Sequence, residues 1–101
     1  MKDAIKQNIM LEELQRVKVA IEQAKETDER LELKANYDTG VSHCNQLIEL
    51  ILKQELDFPC NEMFYSFRYY ITDALPWTGN ITEATSNMLQ KLKKIGVISG
   101  K

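Results

Sequence analysis

Met10, Leu14, Val17, Ile21 and Ala24 recur at alternating steps of four and three residues, and three further stretches carry apolar residues at helical spacing. A period near 3.6 places each set on one side of an α-helix, so each stretch must bury one long face and leave the other wet. The period-two alternation of a half-buried strand does not persist anywhere over a persuasive length. The spacing therefore predicts an all-α chain, a four-helix, bundle-like single domain over residues 1–101. Its parts are a long antiparallel helical pair, about 3–26 and 28–54, with two shorter helices, 59–75 and 81–95, packed across it. A chain of 101 residues suits one core, burying about two-thirds of its unfolded surface.

The boundaries come from local chemistry. In the first helix Ile5 and Ile9 widen the stripe, and Glu12 sits one turn before Arg16 in the favourable order for an ion pair. The break is expected at Glu26 to Arg30, with Thr27 or Asp28 capping the second helix; a continuous helix to about residue 36 is equally allowed, since none of those residues forbids one. The second stripe is Leu33, Tyr37, Val41, Cys44, Ile48 and Ile51, joined by Leu47 and Leu52. Gly40 in its middle marks either a kink or a shorter helix capped by Asp38. Asp57-Phe58-Pro59 closes the segment, because the residue before a proline avoids helical geometry.

In the third segment Met63, Phe64, Phe67, Ile71, Ala74 and Leu75 share a face, while Tyr65, Tyr69, Thr72 and Asp73 point the other way; Pro76 ends it. Asn80-Ile81-Thr82-Glu83 reads as a capping box. The fourth stripe is Ile81, Ala84, Met88, Leu92 and Ile95, with Leu89 at its edge. Lys91, Lys93 and Lys94 suit the negative end of that helix, and Gly96 should stop it with Val97 as an apolar seal. The heptad-like seam of the first helix can be answered by the second helix or by a second copy, so a homodimer through helix 1 is left open. Asp28, in phase with the seam, predicts that coiled-coil pairing stops there.

Composition narrows the function. The formal net charge is −2, so no whole-chain basic field draws the protein to nucleic acid. Residues 1–57 carry 8 Lys and Arg against 12 Asp and Glu, a balance of −4, and residues 58–101 carry 5 against 3, or +2. Met1-Lys2-Asp3 leads straight into an amphipathic pattern, which predicts no signal peptide. No apolar run exceeds three residues, Leu50-Ile51-Leu52 being one such run, too short for a membrane span. Cys44 and Cys60 lack paired spacing and read as small buried hydrophobes in a reducing compartment; a cytoplasmic location is expected.

Reactive chemistry finds no support. His43 is the only histidine and is followed by Cys44-Asn45-Gln46-Leu47, not by the Lys and Gly that histidine phosphotransfer domains place after theirs. One His and two Cys are too few for a zinc site, and adjacent His43 and Cys44 project in different directions. Ser42 cannot use His43 as a base, since helix neighbours diverge by about 100°. The glycines are isolated, so nothing cradles phosphate. No catalytic, metal or cofactor-binding residue is assigned, and the chain is expected not to be an enzyme.

Seven of the eight aromatic residues lie between Phe58 and Trp77, more than one helical face can bury. Tyr65, Arg68, Tyr69 and Trp77 form the candidate protein-binding patch, with the composition enriched at interface hot spots; a central third helix packed on both sides would instead make the tyrosines core. The run from Thr82 to Ile98 resembles the recognition helix and first wing strand of winged helix-turn-helix proteins. That resemblance implies that Thr85, Ser86 and Asn87 face bases and that Lys91, Lys93 and Lys94 contact phosphates. The expected function is a non-enzymatic binding module, an inhibitor, immunity-type or adaptor protein that occludes a partner's surface. A basic partner suits the acidic first half. A winged-helix-like DNA-binding regulator using helix 81–95 is the alternative, with nucleic acid ranked below protein.

Overall fold

The computed structural model describes residues 4–53, 59–76 and 79–99. Four α-helices succeed one another: α1 (Ala4–Thr27), α2 (Lys34–Lys53), α3 (Asn61–Ala74) and α4 (Gly79–Lys94), with a 3₁₀ turn (Leu31–Leu33) leading into α2. Among the described residues no strand forms, and the all-α bundle expected from the apolar spacing is the fold observed. The connection at 54–58, with Asp57 and Phe58, lies outside the described residues, as does Trp77.

Successive helices reverse direction. Near the start of α1 the Gln7 side-chain amide donates to the Ile51 carbonyl at the end of α2 (2.9 Å), while at the opposite end Lys25 meets Asp38. Lys91, late in α4, reaches Glu13, early in α1. Asn36, early in α2, donates from Nδ2 to the Ala74 carbonyl at the end of α3 (3.0 Å). Helix α1 packs along both α2 and α4, whereas α3 lies against α2. Met10, Leu14, Val17 and Ile21 are consequently sealed within the molecule, in one cluster with Tyr37, Cys44, Phe64, Phe67, Met88 and Leu92. The seam left open for a homodimer is thus already covered by α2 and α4, and it offers a second copy no apolar stripe.

The break after α1 is made by Asp28. Its Oδ1 accepts from the Arg30 backbone N–H and from Arg30 Nε, both at 3.0 Å, and its Oδ2 accepts from Arg30 Nη2 (2.8 Å) and from the hydroxyl of buried Tyr37 (2.6 Å). Lys34 Nζ donates to the Asp28 carbonyl (2.8 Å) and also to the Lys25 carbonyl. Such a side-chain turn competes with helical hydrogen bonding, which rules out the continuous helix and delays α2 to Lys34 instead of residue 28. Thr27 does not cap the next helix; its hydroxyl donates back to the Gln23 and Ala24 carbonyls.

Gly40 does not start a shorter helix, since α2 runs through it from Lys34 to Lys53. It is buried mid-helix, where an added Cβ would lie 3.2 Å from Leu75 Cδ1 and 3.4 Å from Ile21 Cδ1, so its missing side chain lets α1, α2 and the end of α3 meet. Helix α4 begins at Gly79, which makes Asn80 its second residue and not its N-cap. At the other end Gly96 adopts φ +84°; Val97 N–H donates to the Leu92 carbonyl (2.9 Å) and Gly96 N–H to the Lys93 carbonyl (3.2 Å). This is a Schellman turn sealed by buried Val97, as its sequence predicts.

The ion pair expected between Glu12 and Arg16 is replaced by one between Glu13 and Arg16 (2.9 Å). Glu13 is only 2% exposed, and the same Oε2 lies 3.4 Å from Lys91 Nζ on α4. Its place in the apolar stripe, three residues after Met10 and four before Val17, explains the burial.

Two measurements test these assignments. Gly40→Leu should lower the urea-unfolding free energy by about 1–3 kcal/mol through overpacking. The Arg30 guanidinium, then the Tyr37 hydroxyl, hold the Asp28 carboxyl far below its ordinary value. Stability from Asp28 is therefore full above the ordinary carboxylate pKa and is lost as pH falls from there toward the folded value. Asp28→Asn should flatten the acid limb of stability between about pH 5 and pH 2.

Candidate functional site

Helix α3 is held at both ends by polar ties. The Schellman turn after α4 aims residues 97–99 at its start: Cys60 N–H donates to the Val97 carbonyl (2.8 Å), Ser99 N–H donates to Asn61 Oδ1 (2.6 Å), and the Tyr65 hydroxyl donates to the Ser99 carbonyl (3.3 Å). At its far end the Tyr70 hydroxyl donates to the Asn36 carbonyl (3.2 Å), and Asn36 in turn satisfies Ala74. His43 is no free surface histidine; its ring lies 4.4 Å from that of Tyr70, tilted by 42°.

These ties divide the aromatic surplus. Phe64 and Phe67 enter the core, Tyr70 joins α3 to α2, and Tyr65 is half-buried beneath the C-terminal return. Tyr69 stands 68% exposed beside exposed Arg68. The two tyrosines assigned to one patch therefore have different places, and Tyr65 is held by the fold itself.

The second candidate set also divides. Thr85 is buried at 7% exposure, turned inward and away from any base that the winged-helix resemblance would have it meet. Lys91 is paired with Glu13. Ser86, Asn87, Lys93 and Lys94 are exposed, but Ser86 and Lys93 line one hollow and Asn87 another, beside Glu13, Arg16 and Glu83. The set does not make a single face.

The tertiary structure instead joins one member from each set. Helices α3 and α4 stand apart over a groove of about 310 Å³, with Arg68 and Ile71 lining the α3 side and Ile81, Thr85, Leu89 and Lys93 the α4 side. Its charged lining groups among the described residues are the two cations. Thr85 Oγ1, in its floor, is shielded from solvent and has no hydrogen-bond partner among the described residues. A buried hydroxyl left so costs about 1–3 kcal/mol. No sequence signal pairs Arg68 with Lys93; the inward turn of Thr85 was available from its spacing, four residues after Ile81 and four before Leu89.

The remaining groups offer little chemistry. Burial pushes the Cys44 thiol up to about 12 and raises that of Cys60, which keeps both from thiolate reactivity. Burial and then the hydrogen bond to Asp28 push the Tyr37 phenol up to about 12. Among the described residues no three His, Cys, Asp or Glu side chains gather as metal ligands would, and no helix is long and apolar enough to cross a membrane. No protein-family model, curated protein or solved structure matches the chain.

Thr85→Val replaces the unpartnered hydroxyl by a methyl group of similar shape. It should raise the unfolding free energy by about 1 kcal/mol, read from urea or thermal melts; a loss of stability would mean that the hydroxyl has a partner.

Proposed function

We propose that the chain is a small, non-enzymatic helical protein that binds another protein and acts by covering part of its surface, as an inhibitor, immunity-type or adaptor protein does. The observation that carries this reading is the outer edge of α3, where Arg68 and Tyr69 are both exposed and Arg68 also lines the groove beside α4. Tyr and Arg are the residue types that dominate interface energetics, and Arg68 also stands over the apolar side chains of that hollow. The free thiols Cys44 and Cys60 suit a reducing, cytoplasmic compartment.

The acidic residues 1–57 favour a basic partner only by long-range steering, which salt screens over about 8–10 Å. Close contact is governed by the groups that line the groove, whose charged members among the described residues, Arg68 and Lys93, are cations. The DNA-binding reading retains exposed Lys93 and Lys94 but loses Thr85 to the interior and Lys91 to Glu13. A salt-titrated binding assay with duplex DNA should accordingly give only weak, non-specific association.

Arg68→Ala and Tyr69→Ala should each reduce capture of the partner from native-host lysate by about tenfold or more, the effect of a hot-spot residue. Their melting curves should stay within about 0.5 kcal/mol of the parent, as exposed substitutions do. Undiminished capture by both variants would refute the assignment.

A further inference from the structure

Three features of the groove between α3 and α4 point to one kind of occupant. Its floor is apolar, from Ile71, Ile81 and Leu89. Its charged lining groups among the described residues, Arg68 and Lys93, are both cationic, and neither has an ion-pair partner there. Thr85 adds an unpartnered hydroxyl to the same floor. Threonine has two helix-compatible χ1 rotamers, so a turn about χ1 would present that hydroxyl to a guest. At about 310 Å³ the space takes a few side chains of a partner segment.

We propose that this groove takes an extended acidic segment of a partner protein. An apolar side chain of the segment rests on Ile71 and Leu89, and flanking carboxylates accept hydrogen bonds from Arg68 and Lys93. Arginine presents a planar fork that matches a carboxylate, and lysine adds a compact charge across the gap. A uniformly basic segment would meet two like charges, and a wholly apolar one would leave both cations without partners. This assignment rests on the protein-binding reading and names the chemistry of the partner.

The test uses the full chain and short fluorescein-labelled peptides in which Leu and Phe alternate with Glu, alongside versions with Gln or Lys in place of Glu. In fluorescence polarisation the Glu peptide should bind in a salt-sensitive way and the other two should not. Arg68→Gln and Lys93→Gln should each raise its Kd about fivefold. Thr85→Val should weaken the Glu peptide while stabilising the free protein, a combination that a purely structural threonine would not give. Equal binding of the Glu and Gln peptides, preference for the Lys peptide, or indifference to both cation substitutions would overturn the proposal. Self-association of the protein that Arg68→Gln abolishes would identify a second copy as the occupant and would also overturn it. If acidic peptides fail while Tyr69→Ala still abolishes partner capture, the groove assignment falls and the protein-binding reading stands.

Discussion

The structure depends on α1 being covered on two sides. Leu14, Val17 and Ile21 are fully enclosed because α2 lies along one flank of their stripe and α4 along the other. Apolar burial supplies most of the favourable free energy of folding, and here it is concentrated on the central helix. One consequence is that the heptad-like seam is spent within the chain. Another is that α3, which has its own apolar face, must find its place against α2 and the far side of the core.

Polar ties then define where α3 sits. The C-terminal return fastens its start through Cys60, Asn61 and Tyr65, and Asn36 and Tyr70 fasten its end to α2. Each such bond contributes only about 1 kcal/mol net, yet each is directional, so together they specify an orientation that apolar contact alone would leave loose. Asp28 does the same for the turn between α1 and α2, gathering Arg30 and Tyr37 around one carboxylate. Glu13 bridges α1 to α4 in a similar way. Because α3 is secured from α2 and the tail, it need not close against α4, and a groove remains between them.

That groove supports the functional reading. It brings Arg68 on α3 and Lys93 on α4 to one apolar floor, and Tyr69, next to Arg68 on α3, is left outside the core. Thr85 is a local departure from good packing, a buried polar group with no hydrogen-bond partner among the described residues, and such departures concentrate where a protein meets something else. Local charge outweighs the chain's acidic balance here, since screening confines each charge to its near neighbours.

Much of the fold was legible without coordinates. The four helices, the enclosure of Met10, Leu14, Val17 and Ile21, the stop at Gly96 and the core face of α3 all stem from periodicity and backbone chemistry, which act between residues close in sequence. Periodicity says which face is buried but not which neighbour buries it. Hence the separate fates of Tyr65 and Tyr69, the burial of Glu13 beside Lys91, the role of Gly40 as a meeting point and the pairing of Arg68 with Lys93 were decided only by tertiary structure. Each depends on groups distant along the chain arriving at one place, and the free energy of that arrangement belongs to the assembled helices, not to any one stretch of residues.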